Sequence, residues 1–299
     1  MSKRAHIQRH LGLLDEVSGI MGAMKNISLM ETHKLARYLA YQHRVLASIE
    51  AAAADFLAHH PEFGYRDRGQ STRVIVAIGS QRGFCGDFNE AIVRAINRHR
   101  QSGESALGVL VVGRRLAVRL GKDESVLAAL DGPSVVEEVH PVLQRVMNAL
   151  GELQSRLGQS EPLDVALFAH RDGEEAVGVR HILPRPASAG AVPVAYPPLL
   201  NLPPPAFFSE LVRHYLWAQM HDAFYSTLMA ENRRRLQHME GAMKRIEEKS
   251  SDLRRRYNAL RQEEITEEIE VIMLSNDALQ KDARPARGLD VESGETAAR

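Results

Sequence analysis

From Met239 onward, one face of the chain repeats by alternating fours and threes through Met239, Met243, Ile246, Ser250, Leu253, Tyr257 and Leu260, apolar at all but Ser250. A period of 3.5 marks a helix that packs lengthwise on another helix. No proline interrupts residues 206–279 and Gly241 is the only glycine there, so the pattern predicts a C-terminal coiled-coil helix over 206–280. At 1.5 Å per residue its length is on the order of 110 Å, more than a compact domain buries, so it needs a partner. The N-terminal stretch has the same period. Ile7, Leu14, Met21, Ser28, Leu35, Gln42 and Ile49 form one column; His10, Val17, Met24, Glu31, Tyr38, Val45 and Ala52 form the other, and ten of these fourteen positions are apolar. Two helices from opposite ends of the chain, 1–60 and 206–280, are therefore expected to wind into an antiparallel left-handed pair.

Between them the period changes. Val74-Ile75-Val76-Ala77-Ile78 and Leu107-Gly108-Val109-Leu110-Val111-Val112 are short apolar runs that suit buried parallel strands. Helical spacing covers 88–100, a short helix 114–120, and an amphipathic stretch 134–157 in which Pro141 predicts a break near Val139. Residues 163–168 and 176–183 are expected as further strands joined by Arg171-Asp172-Gly173-Glu174. Alternating strands and helices imply a small α/β domain over 70–184. The proline-rich stretch 185–205 is expected to be an extended connection, and 281–299, poor in apolar residues, a disordered tail.

Composition narrows the function classes. Lys plus Arg (38) equals Asp plus Glu (38), which gives no reason to expect nucleic acid or a membrane surface as partner. No apolar run approaches the ~20 residues of a membrane helix, so a soluble, intracellular chain without direct membrane insertion is expected. A single cysteine, Cys85, leaves no intrachain disulfide and no cysteine-rich metal site. Gly12, Gly19 and Gly22 in the first helix are either tolerated weak points or places of close backbone approach.

The loop Gly79-Ser80-Gln81-Arg82-Gly83-Phe84-Cys85-Gly86 lies between a strand and a helix, where phosphate can bind backbone N–H groups. Its spacing fits neither the dinucleotide fingerprint nor the phosphate loop, which favours a structural turn with an inert thiol at Cys85. The 13 histidines show no metal-binding spacing, and no nucleophile elbow or carboxylate pair is present. No catalytic, cofactor-binding or metal residue is assigned. Along the last helix, residues 233–261 carry ten Lys/Arg and four acids, whereas 262–270 carry five Glu and no base. That is either a solvated helix face or a surface that meets charged partners differently along its length.

Four blocks follow the patterns of one family. Ile20-Met21-Gly22-Ala23-Met24-Lys25 resembles I-x-K-A-M, and residues 80–89 resemble S-D-R-G-L-C-G-G-x-N. Residues 231–239 are similar to S-E-x-x-x-R-M-x-A-M. Residues 257–269, beginning Tyr257-Asn258, resemble Y-N-x-x-R-Q-x-x-I-T-x-E-L most closely. By these blocks the chain resembles the gamma subunit of F-type ATP synthases, as a divergent member. The chain departs from these patterns at Gly22, where the family has Lys, at Asp87, where it has Gly, and at His238, where it has Ala; after the A-M pair the family usually reads M-V-A-x-x-K, and here Asn26-Ile27-Ser28-Leu29-Met30-Glu31 replaces that Lys with Glu31.

The resemblance implies a long antiparallel coiled coil plus a small Rossmann-like α/β domain. It implies a central-stalk rotor that transmits rotation between the membrane c-ring and the α3β3 hexamer, with proton or sodium as coupling ion. The partners implied are the alpha, beta and epsilon subunits and the c-ring; the location is the cytoplasmic face of a bacterial inner membrane, as a peripheral part of the F1 sector. By the same resemblance Met24, Lys25, Arg235, Arg261, Gln262, Thr266 and Glu268 contact the hexamer, while nucleotide and Mg²⁺ belong to other subunits. The alternatives are a free-standing coiled-coil adaptor whose α/β domain binds a ligand or partner, and a nucleotide-binding enzyme using the Gly79–Gly86 loop.

Overall fold

A computed structural model describes residues 3–64, 72–101, 106–121, 123–157, 163–171, 177–181 and 196–282. The expected tail 281–299 lies almost wholly outside these residues, as does most of the expected connection 185–205. The chain divides into two compact units, one formed by Met21–Ala242 and the other by Met1–Ile20 with Met243–Arg299.

Two long helices dominate the chain, α1 (Lys3–His59) and α5 (Pro204–Asp282). Within the first unit Lys25 meets Glu240 at 2.9 Å, the Gln42 amide donates to the Ala218 carbonyl at 2.8 Å, and the Phe56 and Phe207 rings lie 5.1 Å apart. Within the second, Arg254 approaches Asp15 at 3.9 Å and Arg4 bonds Glu264 at 2.6 Å. In each unit rising numbers on α1 meet falling numbers on α5, so the helices run antiparallel. The α5 seam is as the sequence predicts: Met239 and Ser250 are buried, and Met243, Ile246, Leu253, Tyr257 and Leu260 are half-buried.

On α1 the column from Ile7 to Ile49 also turns inward, with Ser28 and Leu35 buried. The second column does so only in part: His10 and Met24 are half-buried and Glu31 is buried, but Val17, Tyr38, Val45 and Ala52 are exposed, and Ser18, Leu39, Leu46 and Ala53, one residue later, turn inward in their place. Both phases offer apolar residues, and partner packing selects the one that α5 and the domain can cover. Gly12, Gly19 and Gly22 do not mark close approach within the chain, since a Cβ at any of them would meet nothing within 4 Å. They are tolerated weak points of the helix.

Between the helices lie β1 (Thr72–Ile78), α2 (Phe88–Gln101), β2 (Gly108–Val112), α3 (Arg114–Leu120), β3 (Val126–Leu130), α4 (Val139–Leu157), β4 (Leu163–His170) and β5 (Val177–His181). They build one sheet in the order β3-β2-β1-β4-β5, parallel except for the β4–β5 pair. The central strand β1 is buried over Val74–Ile78, as a strand covered on both faces must be. Val74, Val76 and Ile78 join Val142, Val146 and Leu150 of α4, Leu35 and Leu39 of α1, and Met220 and Phe224 of α5. Ile75 and Ala77 face Phe88, Ile92 and Ile96 of α2 and Leu116 of α3. The predicted break near Val139 takes the form of a 3-10 turn, Val136–Glu138, that passes into α4 at Val139. Pro141 then sits in the first helical turn, where its missing N–H has no helical partner to lose.

Candidate functional site

The turn after β1 is built by close approach. A Cβ on Gly79 would lie 2.3 Å from the Leu116 Cβ, so only glycine lets the strand end pass under α3. The Ser80 N–H donates to Asn89 Oδ1 (3.0 Å) and the Asn89 amide donates back to Ser80 Oγ (2.8 Å). Gln81 Oε1 accepts the N–H groups of Arg114 (3.0 Å) and Gly132 (2.8 Å). The backbone donors beside α3 are thus satisfied by this chain's own side chain, which fits a structural turn.

Helix α5 fastens the far side of the turn. Arg235 donates to the Gly83 carbonyl (3.2 Å), to Cys85 Sγ (3.3 Å) and to Asn232 Oδ1 (2.9 Å), and it pairs with Glu231 one helical turn earlier. Burial pushes the Glu231 carboxyl above its ordinary value, while Arg235 and the N–H groups of Arg82 and Gln81 draw it down. Burial, and then the Glu231 charge, push the Cys85 thiol up to about 11 despite Arg235. A thiol so placed is protonated at neutral pH and is a poor nucleophile. The network also holds Phe84 at φ 64°, a left-handed conformation unusual for an aromatic residue. Below it, His170 stacks on Phe88 with ring centroids 3.9 Å apart and donates from Nε2 to the Phe88 carbonyl at 2.9 Å. Burial is the first cause that holds its imidazole below the ordinary value.

The residues singled out from the sequence fall into two groups. In the unit Met21–Ala242, Met24 is half-buried, Lys25 pairs with Glu240, and Arg235 is only 4% exposed, enclosed by the turn. In the other unit Arg261, Gln262, Thr266 and Glu268 are exposed on α5, where the Thr266 hydroxyl donates to the Gln262 carbonyl (2.9 Å). Just beyond, Ile269, Val271, Ile272 and Leu274 are exposed beside Glu267 and Glu268 on the same helix. An acidic rim around uncovered apolar side chains on one helix is a surface suited to docking.

Sequence reasoning did not assign Glu231, Glu31 or Asp222, all buried carboxylates. The spacing of Glu231 and Arg235, one helical turn apart, was a signal available for the first. Asp222 bonds Arg180 of β5 (2.5 Å), and His43 Nε2 of α1 lies 3.1 Å from its other oxygen without a hydrogen bond. The departure Asp87 pairs with Arg94 (3.3 Å) and Arg234 (3.8 Å). Among the described residues no group of three or more His, Cys, Asp or Glu side chains is gathered as for a metal ion, and no helix is long and apolar enough to cross a membrane.

Comparison with known proteins agrees with this architecture. The ATP synthase family pattern matches residues 3–279. An ATP synthase gamma chain of Anaeromyxobacter sp. (strain Fw109-5) is 26% identical over 295 residues, covering 91% of this chain and 98% of the relative. One of Bdellovibrio bacteriovorus is 25% identical over 87% of this chain and 93% of the relative. In fold, the chain is similar to one from the OSCP/F1/c-ring assembly of Euglena gracilis mitochondrial ATP synthase, with TM-score 0.62 at 14% identity over 97% of this chain and 99% of the other. It is also similar to a chain of that synthase's rotor, with TM-score 0.59 at 14% identity over 88% of this chain and 98% of the other. With the family pattern running over residues 3–279, and so over both long helices and the sheet between them, the chain belongs to the ATP synthase gamma-subunit family.

Proposed function

We propose that this chain is a noncatalytic shaft that carries rotation between a membrane c-ring and an α3β3 hexamer, as a peripheral F1 component on the cytoplasmic face of a bacterial inner membrane. The observation that carries this is the antiparallel pairing of α1 with α5 along both units, a form that resists bending and twisting. Exposed Arg261, Gln262, Thr266 and Glu268 supply direct contacts to beta-subunit loops, and Met24 and Lys25 a second set. Arg235, being buried, acts through the turn it holds. The α/β domain is the foot, facing the ring and the epsilon subunit. As the shaft turns, unlike faces meet the three beta subunits, and each orientation favours a different nucleotide-site conformation through differential contact. Purification of the tagged chain from its own cells tests this: alpha, beta and epsilon subunits are expected to accompany it with bound ATPase activity. Their absence would instead support a free-standing coiled-coil adaptor.

A further inference from the structure

Glu31 stands where the resembling family pattern has a lysine, and the structure gives the acid a specific task. Its carboxylate is buried on α1, 5% exposed. Oε2 accepts the Val136 N–H (3.2 Å), the first backbone donor of the 3-10 turn that leads into α4. Such a donor has no partner within its own turn, so a carboxylate from another element satisfies it and is favoured there by the helix dipole. The other oxygen, Oε1, binds Lys34 Nζ (3.0 Å), which reaches onward to Glu137 of the same turn (3.0 Å). Hydrogen bonds to Glu137 and then to Glu31 raise the Lys34 ammonium above its ordinary value. One turn of α1 and the entrance to α4 are thus joined by two polar contacts, Glu31 to Val136 and Lys34 to Glu137, with Lys34 and Glu31 bound to each other on α1. A lysine at position 31 has no acceptor to offer Val136 and would face Lys34.

Apolar packing is non-directional and lets surfaces slide, whereas hydrogen bonds of fixed geometry resist displacement along the contact. We infer that Glu31 is a positioning residue that locks α1 to the Val136–Val139 corner, so that the α/β domain and the helix pair turn together. This rests on the rotor function proposed above. Two measurements on the full chain and its assembled complex test it. Amide exchange at Val136 is expected to quicken roughly five- to tenfold in Glu31→Ala, with Glu31→Gln, which keeps an acceptor, closer to wild type. In the assembled complex Glu31→Ala is expected to lose ion translocation per ATP hydrolysed, and Glu31→Lys to lose more, while subunit composition is unchanged. Unaltered exchange at Val136 in Glu31→Ala would overturn the tie itself. Faster exchange with full coupling would reduce Glu31 to a local stabiliser and overturn the inference. If alpha and beta subunits never co-purify even with the wild-type chain, the rotor function fails and the mechanical role fails with it, while the exchange result still decides whether the tie exists.

Discussion

Arg235 lies against Glu231 with both side chains at most 4% exposed, and the arginine's remaining donors reach across to Gly83 and Cys85. A helix and a loop some 150 residues apart are joined by one guanidinium. Removing it strands a buried carboxylate. Arg235→Ala is expected to cost about 3–5 kcal/mol in urea denaturation, whereas replacing both partners with apolar residues of similar volume recovers most of that loss. If Arg235→Ala unfolds at the wild-type midpoint, the pair does not hold the turn.

The same network governs Cys85, whose thiol is pushed up to about 11 from 9.0. Between those values the unfolded chain has released the proton and the folded chain has not. The stability this group contributes is therefore intact below about pH 9 and is lost as pH rises through about 11. Cys85→Ser is expected to flatten the fall in melting temperature across that window. Maleimide labelling of the native chain should be slow at pH 7 and accelerate toward pH 11. Rapid labelling at neutral pH in the folded state would contradict the buried, protonated thiol.

Phe84 occupies left-handed backbone space with its ring 49% exposed, so the residue gives up little burial for the conformation it holds. Phe84→Gly is expected to stabilise the chain by roughly 0.5–1 kcal/mol, because relief of strain exceeds the added unfolded-state entropy. Phe84→Val, β-branched at the same φ, should destabilise it. Chemical denaturation of the two variants side by side gives the sign.

Leu253 and Tyr257 occupy successive seam positions on α5, and the Tyr257 ring lies 5.9 Å below the Arg4 guanidinium. Aspartate at either position places a charge in a half-dry seam and is expected to cost on the order of 2–4 kcal/mol locally. The double variant should lose helical circular dichroism and uncouple ATP hydrolysis from ion movement. Full coupling in the double variant would remove the seam from the mechanism.

Arg261 and Gln262 are exposed on α5, so their side chains add little to the buried core. Their alanine variants are expected to melt within about 0.5 kcal/mol of wild type. In the assembled complex, turnover should fall severalfold. Normal turnover with both replaced would exclude this segment as the beta-subunit contact.

A repeat of 3.5 residues was enough to determine the two long helices and their pairing, because a narrow apolar stripe that long is stable only against another helix. The central strand was equally legible, since the unbroken run Val74–Ile78 has no stable place except between two covered faces. Three things were decided only in the folded chain. The Val126–Leu130 segment is rich in Leu and Ala and has no strand signature of its own; pairing with β2 makes it a strand, exposed on alternate residues at the sheet edge. Along the second column of α1 neighbouring positions compete for the inward face, and only packing decided that Leu39, Leu46 and Ala53 turn inward in place of Tyr38, Val45 and Ala52. Glu31, Glu231 and Arg235 look like surface charges in sequence. Their partners lie on other elements or become enclosed by them, and a buried charge is tolerated only where the tertiary fold brings those partners within hydrogen-bonding distance.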